Sequence, residues 1–150
     1  YYEKSLKIKE KIYQEDHPSI AMSYNNIGLT YFNLGDYNKA LEYYQKSLKI
    51  DEKNYQEEDH PSIATSYNNI GMSYNRLGDF NKALEYQLRS LKIYEKIYQE
   101  EDHPSIATAY NNIGITYDSL GQKDKALEYK QKSLNIGEKI YQKKQLKKIL

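Results

Sequence analysis

The sequence contains no cysteine, no tryptophan and no valine. Without cysteine there is no disulfide framework, thiolate metal ligand or thiol nucleophile, and such a composition suits a reducing, cytoplasmic setting. Isoleucine and four threonines are the only β-branched residues, whereas a sheet-rich protein normally uses more. No apolar run approaches the roughly 18 residues of a membrane span, and no signal-like apolar region is present. Net charge is nearly absent too. The 22 Lys+Arg against 21 Asp+Glu leave +1, which gives no global field to draw in nucleic acid or an acidic membrane. Tyrosine is in excess, with 18 among 150 residues, in a chain that is 39% apolar and 29% charged. That length and mixture support one compact domain or a short run of small repeated units.

Repetition decides between these. His17-Pro18-Ser19-Ile20-Ala21 recurs from His60 to Ala64 and from His103 to Ala107, so all three prolines sit in one string. Asn25-Asn26-Ile27-Gly28 recurs from Asn68 to Gly71 and from Asn111 to Gly114. Units 17–59 and 60–102 agree at about 32 of 43 positions. A third unit covers 103–142. Upstream, residues 1–14 echo the second half of a unit, since Tyr1-Tyr2-Glu3-Lys4-Ser5-Leu6 resembles Tyr43-Tyr44-Gln45-Lys46-Ser47-Leu48. The chain is therefore expected to be a fragment that opens inside an earlier unit.

Each unit reads as two helices. The first starts at His17-Pro18, where proline costs nothing because first-turn N–H groups have no helical partner, and Asp16 or His17 is the expected N-cap. Tyr24, Ile27, Gly28 and Tyr31 follow the spacing of one helical face. Gly35 is expected to end the helix in a left-handed conformation, and Asp36 to cap the next. In the second helix Tyr37, Ala40, Leu41, Tyr44, Ser47 and Leu48 share a face, and Gln56-Glu57-Glu58-Asp59 makes the turn to the following unit. Such a pair cannot bury its stripe alone, so neighbouring pairs must stack. Gly28, Gly71 and Gly114, mid-helix in every unit, predict close helix contact against Ala40, Ala83 and Ala126.

At these positions (Tyr24, Ile27, Gly28, Tyr31, Gly35, Tyr37, Ala40, Tyr44) the pattern resembles the tetratricopeptide repeat. The Asp-His-Pro and Asn-Asn-Ile-Gly strings resemble its kinesin light chain and nephrocystin-type long variant. The resemblance implies an all-α fold, a right-handed solenoid of stacked helix pairs whose concave side binds peptides or partner proteins. The motifs in the residues lead to the expectation of no catalytic activity and no cofactor. Departures occur at Gln87 and Lys130, which replace the large residue at Tyr44, and at Ser47, Ser90 and Ser133, where the family prefers alanine.

The residues themselves carry little chemistry. There is no phosphate-cradling loop, nucleophile elbow or His-Glu-x-x-His. The three histidines are separated by intervening helices, so they cannot share an ion whose ligands lie at about 2 Å, and helix-start packing is their expected duty. The informative surface is the other side of the first helix. Met22, Asn26, Leu29 and Asn33 lie there, with Thr65, Asn69, Met72 and Arg76 in the second unit and Thr108, Asn112, Ile115 and Ser119 in the third. Stacking predicts a groove with an Asn26/Asn69/Asn112 ladder, exposed and free to bond a peptide backbone, beside an apolar Leu29/Met72/Ile115 ladder. Asn25, Asn68 and Asn111 are expected at its edge or between units, fixing the repeat angle. Only Arg76 is charged among these twelve groove positions, which does not suit a carboxylate clamp or RNA phosphates. The expected function is a non-catalytic scaffold binding an extended peptide; the alternative is a spacer or self-associating array. Tyr2, Leu6 and Ile12 on the unpaired first helix are the expected sites of self-association. The basic tail, residues 143–150, is expected to continue the last helix or start a closing one rather than to bind lipid or nucleic acid.

Overall fold

The computed structural model describes residues 2–12, 16–55, 59–98 and 102–149. Seven helices account for nearly all of them: α1 (Tyr2–Ile12), α2 (Pro18–Asn33), α3 (Tyr37–Asn54), α4 (Pro61–Leu77), α5 (Phe80–Ile97), α6 (Pro104–Ser119) and α7 (Lys123–Ile149). Each packs on the helix before and after it, and the first helices α4 and α6 also touch directly. The fold is an all-α solenoid. The basic tail is the end of α7, which runs unbroken from Lys123, and Lys143 pairs with Asp102 at 3.3 Å. The expected turn residues Gln56, Glu57 and Glu58, and also Tyr1 and Leu150, lie outside the described residues.

The helix starts follow from the repeated histidine. Between the two candidate caps the structure selects His17. Its Nδ1 accepts from Ser19 N at 3.1 Å, and His60 and His103 accept from Ser62 and Ser105 in the same way. The ring does a second job. His60 stacks on Tyr55 with centroids 3.4 Å apart, and His103 on Tyr98 likewise, which fastens these two caps to the ends of α3 and α5. Asp36 and Asp79 cap α3 and α5 through Lys39 N and Lys82 N. Between the paired helices Gly35, Gly78 and Gly121 take positive φ, as a left-handed turn requires.

Close approach inside each pair centres on the mid-helix glycine, but its partner is not the expected alanine side chain. A Cβ on Gly28 would lie 2.8 Å from the Tyr44 ring, on Gly71 2.7 Å from Gln87 Cγ, and on Gly114 2.9 Å from Lys130 Cγ. The alanine four residues earlier contributes its carbonyl, at 3.0 Å for Ala83 and 3.2 Å for Ala126. The large-residue position thus lies over the glycine, and that is why Gln87 and Lys130 fit there: an unbranched stem can lie flat where a ring does in the first unit. The Gln87 amide, buried, accepts from Thr116 Oγ1 at 2.8 Å, and Asn75 Nδ2 donates to the same hydroxyl at 2.9 Å. Serine in place of alanine has a similar explanation, since Ser47 and Ser90 donate to Ala21 O and Ala64 O at 2.8 and 2.7 Å.

The tyrosines build a second, outward seam. Tyr43 lies against Tyr24 and Tyr31 with Lys46 over its ring, Tyr86 against Tyr67 and Tyr74 with Arg89, and Tyr129 against Tyr110 and Tyr117 with Lys132. Each triad also reaches back: Tyr24, Tyr67 and Tyr110 donate to Glu10, Glu52 and Glu95 of the preceding helix. The expectation for α1 needs one correction. Leu6 is buried against Ile20, Ala21, Ile27 and Ile50, because α2 covers the face that carries it, while Tyr2, Ile8 and Ile12 stay exposed.

Candidate functional site

The side of α2, α4 and α6 opposite the tyrosine seam carries the predicted groove residues. Its apolar members are open: Met22 is 64% exposed, Leu29 47% and Ile115 43%, with Met72 half-buried. Asn33, Arg76, Thr108 and Ser119 are exposed as well. Thr108 and Ser119 turn their hydroxyls back to Pro104 O and Ile115 O, so part of their donor capacity is spent within their own helix. Thr65 is half-buried and shares its hydroxyl between Pro61 O and the Tyr94 hydroxyl.

The asparagines behave differently from the open ladder expected. Asn69 Nδ2 donates to Asn25 Oδ1 at 3.0 Å, and Asn112 Nδ2 donates to Asn68 Oδ1 at 2.9 Å. Both bonds cross from one first helix to the next. Asn112 is only 6% exposed, which corrects the expectation of a free side chain there. The cause is the spacing of adjacent first helices, which brings each second asparagine opposite the first asparagine of the preceding unit. Asn26 and Asn69 are half-buried and Asn111 is exposed, so Asn26 and Asn111 remain available at the rim.

Two clefts open along this side. A small one, about 40 Å³, lies between α4 and α6 among Met72, Asn75, Arg76, Gln87, Asn112 and Ile115. A larger one, about 340 Å³, lies between the N-terminal ends of α2 and α4. Met22, Asn25, Thr65 and Ser66 form part of its walls, and Ser47 and Asp51 of α3 part of its lining. Asp51 was not among the sequence candidates. It is 4% exposed, and burial pushes its carboxyl up to about 6. The signal for it was present: at the position where α3 carries Asp51, α1 carries Lys9, α5 carries Tyr94 and α7 carries Gly137. The residue at this position changes character in every copy.

The tetratricopeptide repeat family matches residues 1–53, 31–96 and 62–139, nearly the whole chain. The chain is a tetratricopeptide repeat protein. Solved structures share its fold. BtubC (BKLC) from P. vanneervenii superposes with a TM-score of 0.82 at 24% identity over 93% of this chain and 55% of that one. The kinesin light chain-type TPR-like repeats of Podosopora anserina give 0.75 at 23% identity over 94% and 66%. The apo form of RapI gives 0.79 at 26% identity, over 95% of this chain and 49% of RapI. The chain thus spans about half to two thirds of these proteins. No curated protein matches it in sequence. Tetratricopeptide repeats serve as protein-interaction scaffolds and are generally non-catalytic, and they bind protein partners. Among the described residues no helix is long and apolar enough to cross a membrane.

Proposed function

We propose that this tetratricopeptide repeat protein binds an extended segment of a partner protein along the first-helix side of α2, α4 and α6. The observation that carries the proposal is the row of solvent-facing apolar side chains at Met22 and Leu29 of α2 and Ile115 of α6, which share one side of the stacked first helices with the half-buried Met72 of α4. Asparagines Asn26 and Asn111 at the rim supply donors and acceptors for a peptide backbone, while the Asn25–Asn69 and Asn68–Asn112 bonds hold the groove's curvature. Preformed bonds of this kind reduce the ordering cost of binding.

A peptide-display selection followed by titration tests it. Replacing Leu29, Met72 and Ile115 together with serine removes the apolar receiving surface and should weaken a selected peptide about a hundredfold or more, from roughly 1.5–3 kcal/mol per fully buried side chain. The melting temperature should fall far less than the affinity, because Leu29 and Ile115 are exposed and only Met72 is half-buried. Unchanged affinity would sink the groove. A second reading, self-association, is favoured by the exposed Tyr2, Ile8 and Ile12 of α1. Concentration-dependent light scattering that disappears on changing Ile8 and Ile12 to lysine would support it.

A further inference from the structure

The cleft between α2 and α4 contains an unmatched charge. Asp51 as a residue is 4% exposed and lines the cleft, and its carboxylate, whose oxygens reach the cleft, has no hydrogen bond or ion pair among the described residues. Among the described residues no other charged side chain lines that cleft. A buried carboxylate without a partner is costly, and such groups are normally paired.

The repeat shows what kind of partner the place accepts. Lys9 occupies the corresponding position on α1, and its ammonium donates to Ser19 O at 3.2 Å and to Ser23 Oγ at 2.9 Å. The counterparts of Ser19 and Ser23 on α4 are Ser62 and Ser66, and both line the cleft that Asp51 faces. One interface therefore holds an ammonium between a carbonyl and a hydroxyl. The next repeats that acceptor pair, adds a carboxylate and leaves about 340 Å³ where the lysine side chain lay. In the interface after that, the buried Tyr94 fills the equivalent place and satisfies its hydroxyl on Thr65 at 3.0 Å. Of these three, only the Asp51 interface is both open and electrostatically incomplete.

We infer that this cleft receives the primary ammonium of a lysine side chain from the bound segment, with Asp51 as counter-ion and the Ser62–Ser66 turn of α4 supplying neutral acceptors. This rests on the peptide-groove reading and deepens it, because Met22, Asn25 and Thr65 belong both to the groove and to the walls of the cleft. The cleft fixes the register: a segment lying along the apolar row would place one lysine at the α2–α4 gap. Neither neighbouring interface offers a carboxylate at that position.

Two measurements on the whole chain separate the inference from the reading beneath it. The first titrates n-butylammonium chloride, a mimic of the lysine side chain, and follows backbone amide shifts. Saturable shifts confined to residues around Asp51, Ser62 and Ser66, absent in Asp51→Asn, are expected; no saturable shift, or the same shifts in the variant, overturns the site. Asp51→Asn removes an unpaired buried charge and keeps the shape, so it is expected to fold at least as well as the parent. The second repeats the display selection on parent and variant. A motif with one fixed lysine on the parent, unselected by Asp51→Asn while its other positions persist, supports the inference. Exchanging that lysine for norleucine should cost about tenfold or more on the parent and little on the variant. A recurrent motif without a fixed lysine overturns the inference and leaves the groove standing. Absence of any recurrent motif sinks the groove, and with it a lysine from a bound segment.

Discussion

Exchanging glycine for alanine at two places in this chain should move stability in opposite directions. Gly71 and Gly137 are both inside helices at ordinary helical φ, so in each case alanine gains up to about 1 kcal/mol of helix propensity. At Gly137 nothing lies within 4 Å of the added Cβ, so the gain stands alone. At Gly71 the Cβ would meet Gln87 Cγ at 2.7 Å, Ala83 O at 3.0 Å and Gln87 N at 3.2 Å. The Gln87 stem cannot swing aside without breaking its bond to Thr116, and the carbonyl cannot move unless α5 moves. Overpacking of this kind costs about 1–3 kcal/mol, so Gly71→Ala should lose about 1–2 kcal/mol net. For a chain of this length each kcal/mol shifts the melting temperature by about 2–4 °C. Gly71→Ala should therefore melt about 5 °C below the parent and Gly137→Ala about 2–4 °C above it, by calorimetry or far-ultraviolet circular dichroism. Because Gly71 belongs to the central unit, the change should be felt on both sides. A Gly71→Ala chain melting at or above the parent would refute the close approach of α4 and α5.

Asp51 predicts a pH dependence. Its carboxyl rises from 3.8 to about 6 on burial, so between those values the native chain keeps a proton that the unfolded chain has released. Stability should then fall as pH rises from about 4 to about 6 and level off above, by about 3 kcal/mol at 1.36 kcal/mol per pH unit. Asp51→Asn should lack that fall and melt above the parent at neutral pH; parallel pH profiles would contradict it. His60→Ala removes both the cap on Ser62 N and the stack on Tyr55, and should cost about 1–2 kcal/mol in chemical denaturation, with His60→Asn recovering the cap part. Asn112→Ala should cost about 1 kcal/mol through the bond lost to Asn68, and if Asn112 were a free ligand contact instead, stability would not change.

What the sequence determined is everything that depends on a residue's own helix. Helix starts at His-Pro, stops at Gly35 and Gly78, the face carrying Ile27 and Gly28, and the solenoid itself follow from local periodicity and from copying the same unit. A stack of near-identical pairs has few other ways to bury its stripes. Which atom approaches Gly71 depended on contacts between helices. So did the pairing of Asn69 with Asn25, which turned an expected row of free amides into bonds that cross from unit to unit. Helical geometry puts Asn69 on the groove side but says nothing about the distance to the neighbouring helix, and that distance decides whether an amide meets peptide or protein. Asp51 lies at the far end of the same limit. Its position varies visibly between copies, yet only packing shows that Lys9 is satisfied, that Tyr94 fills its space, and that the carboxylate between them faces an open cleft without a partner. A repeat fixes the scaffold through what its copies share. Only the tertiary structure reveals which of their differences carries an unmet charge, because desolvation acts through neighbours that are distant in sequence.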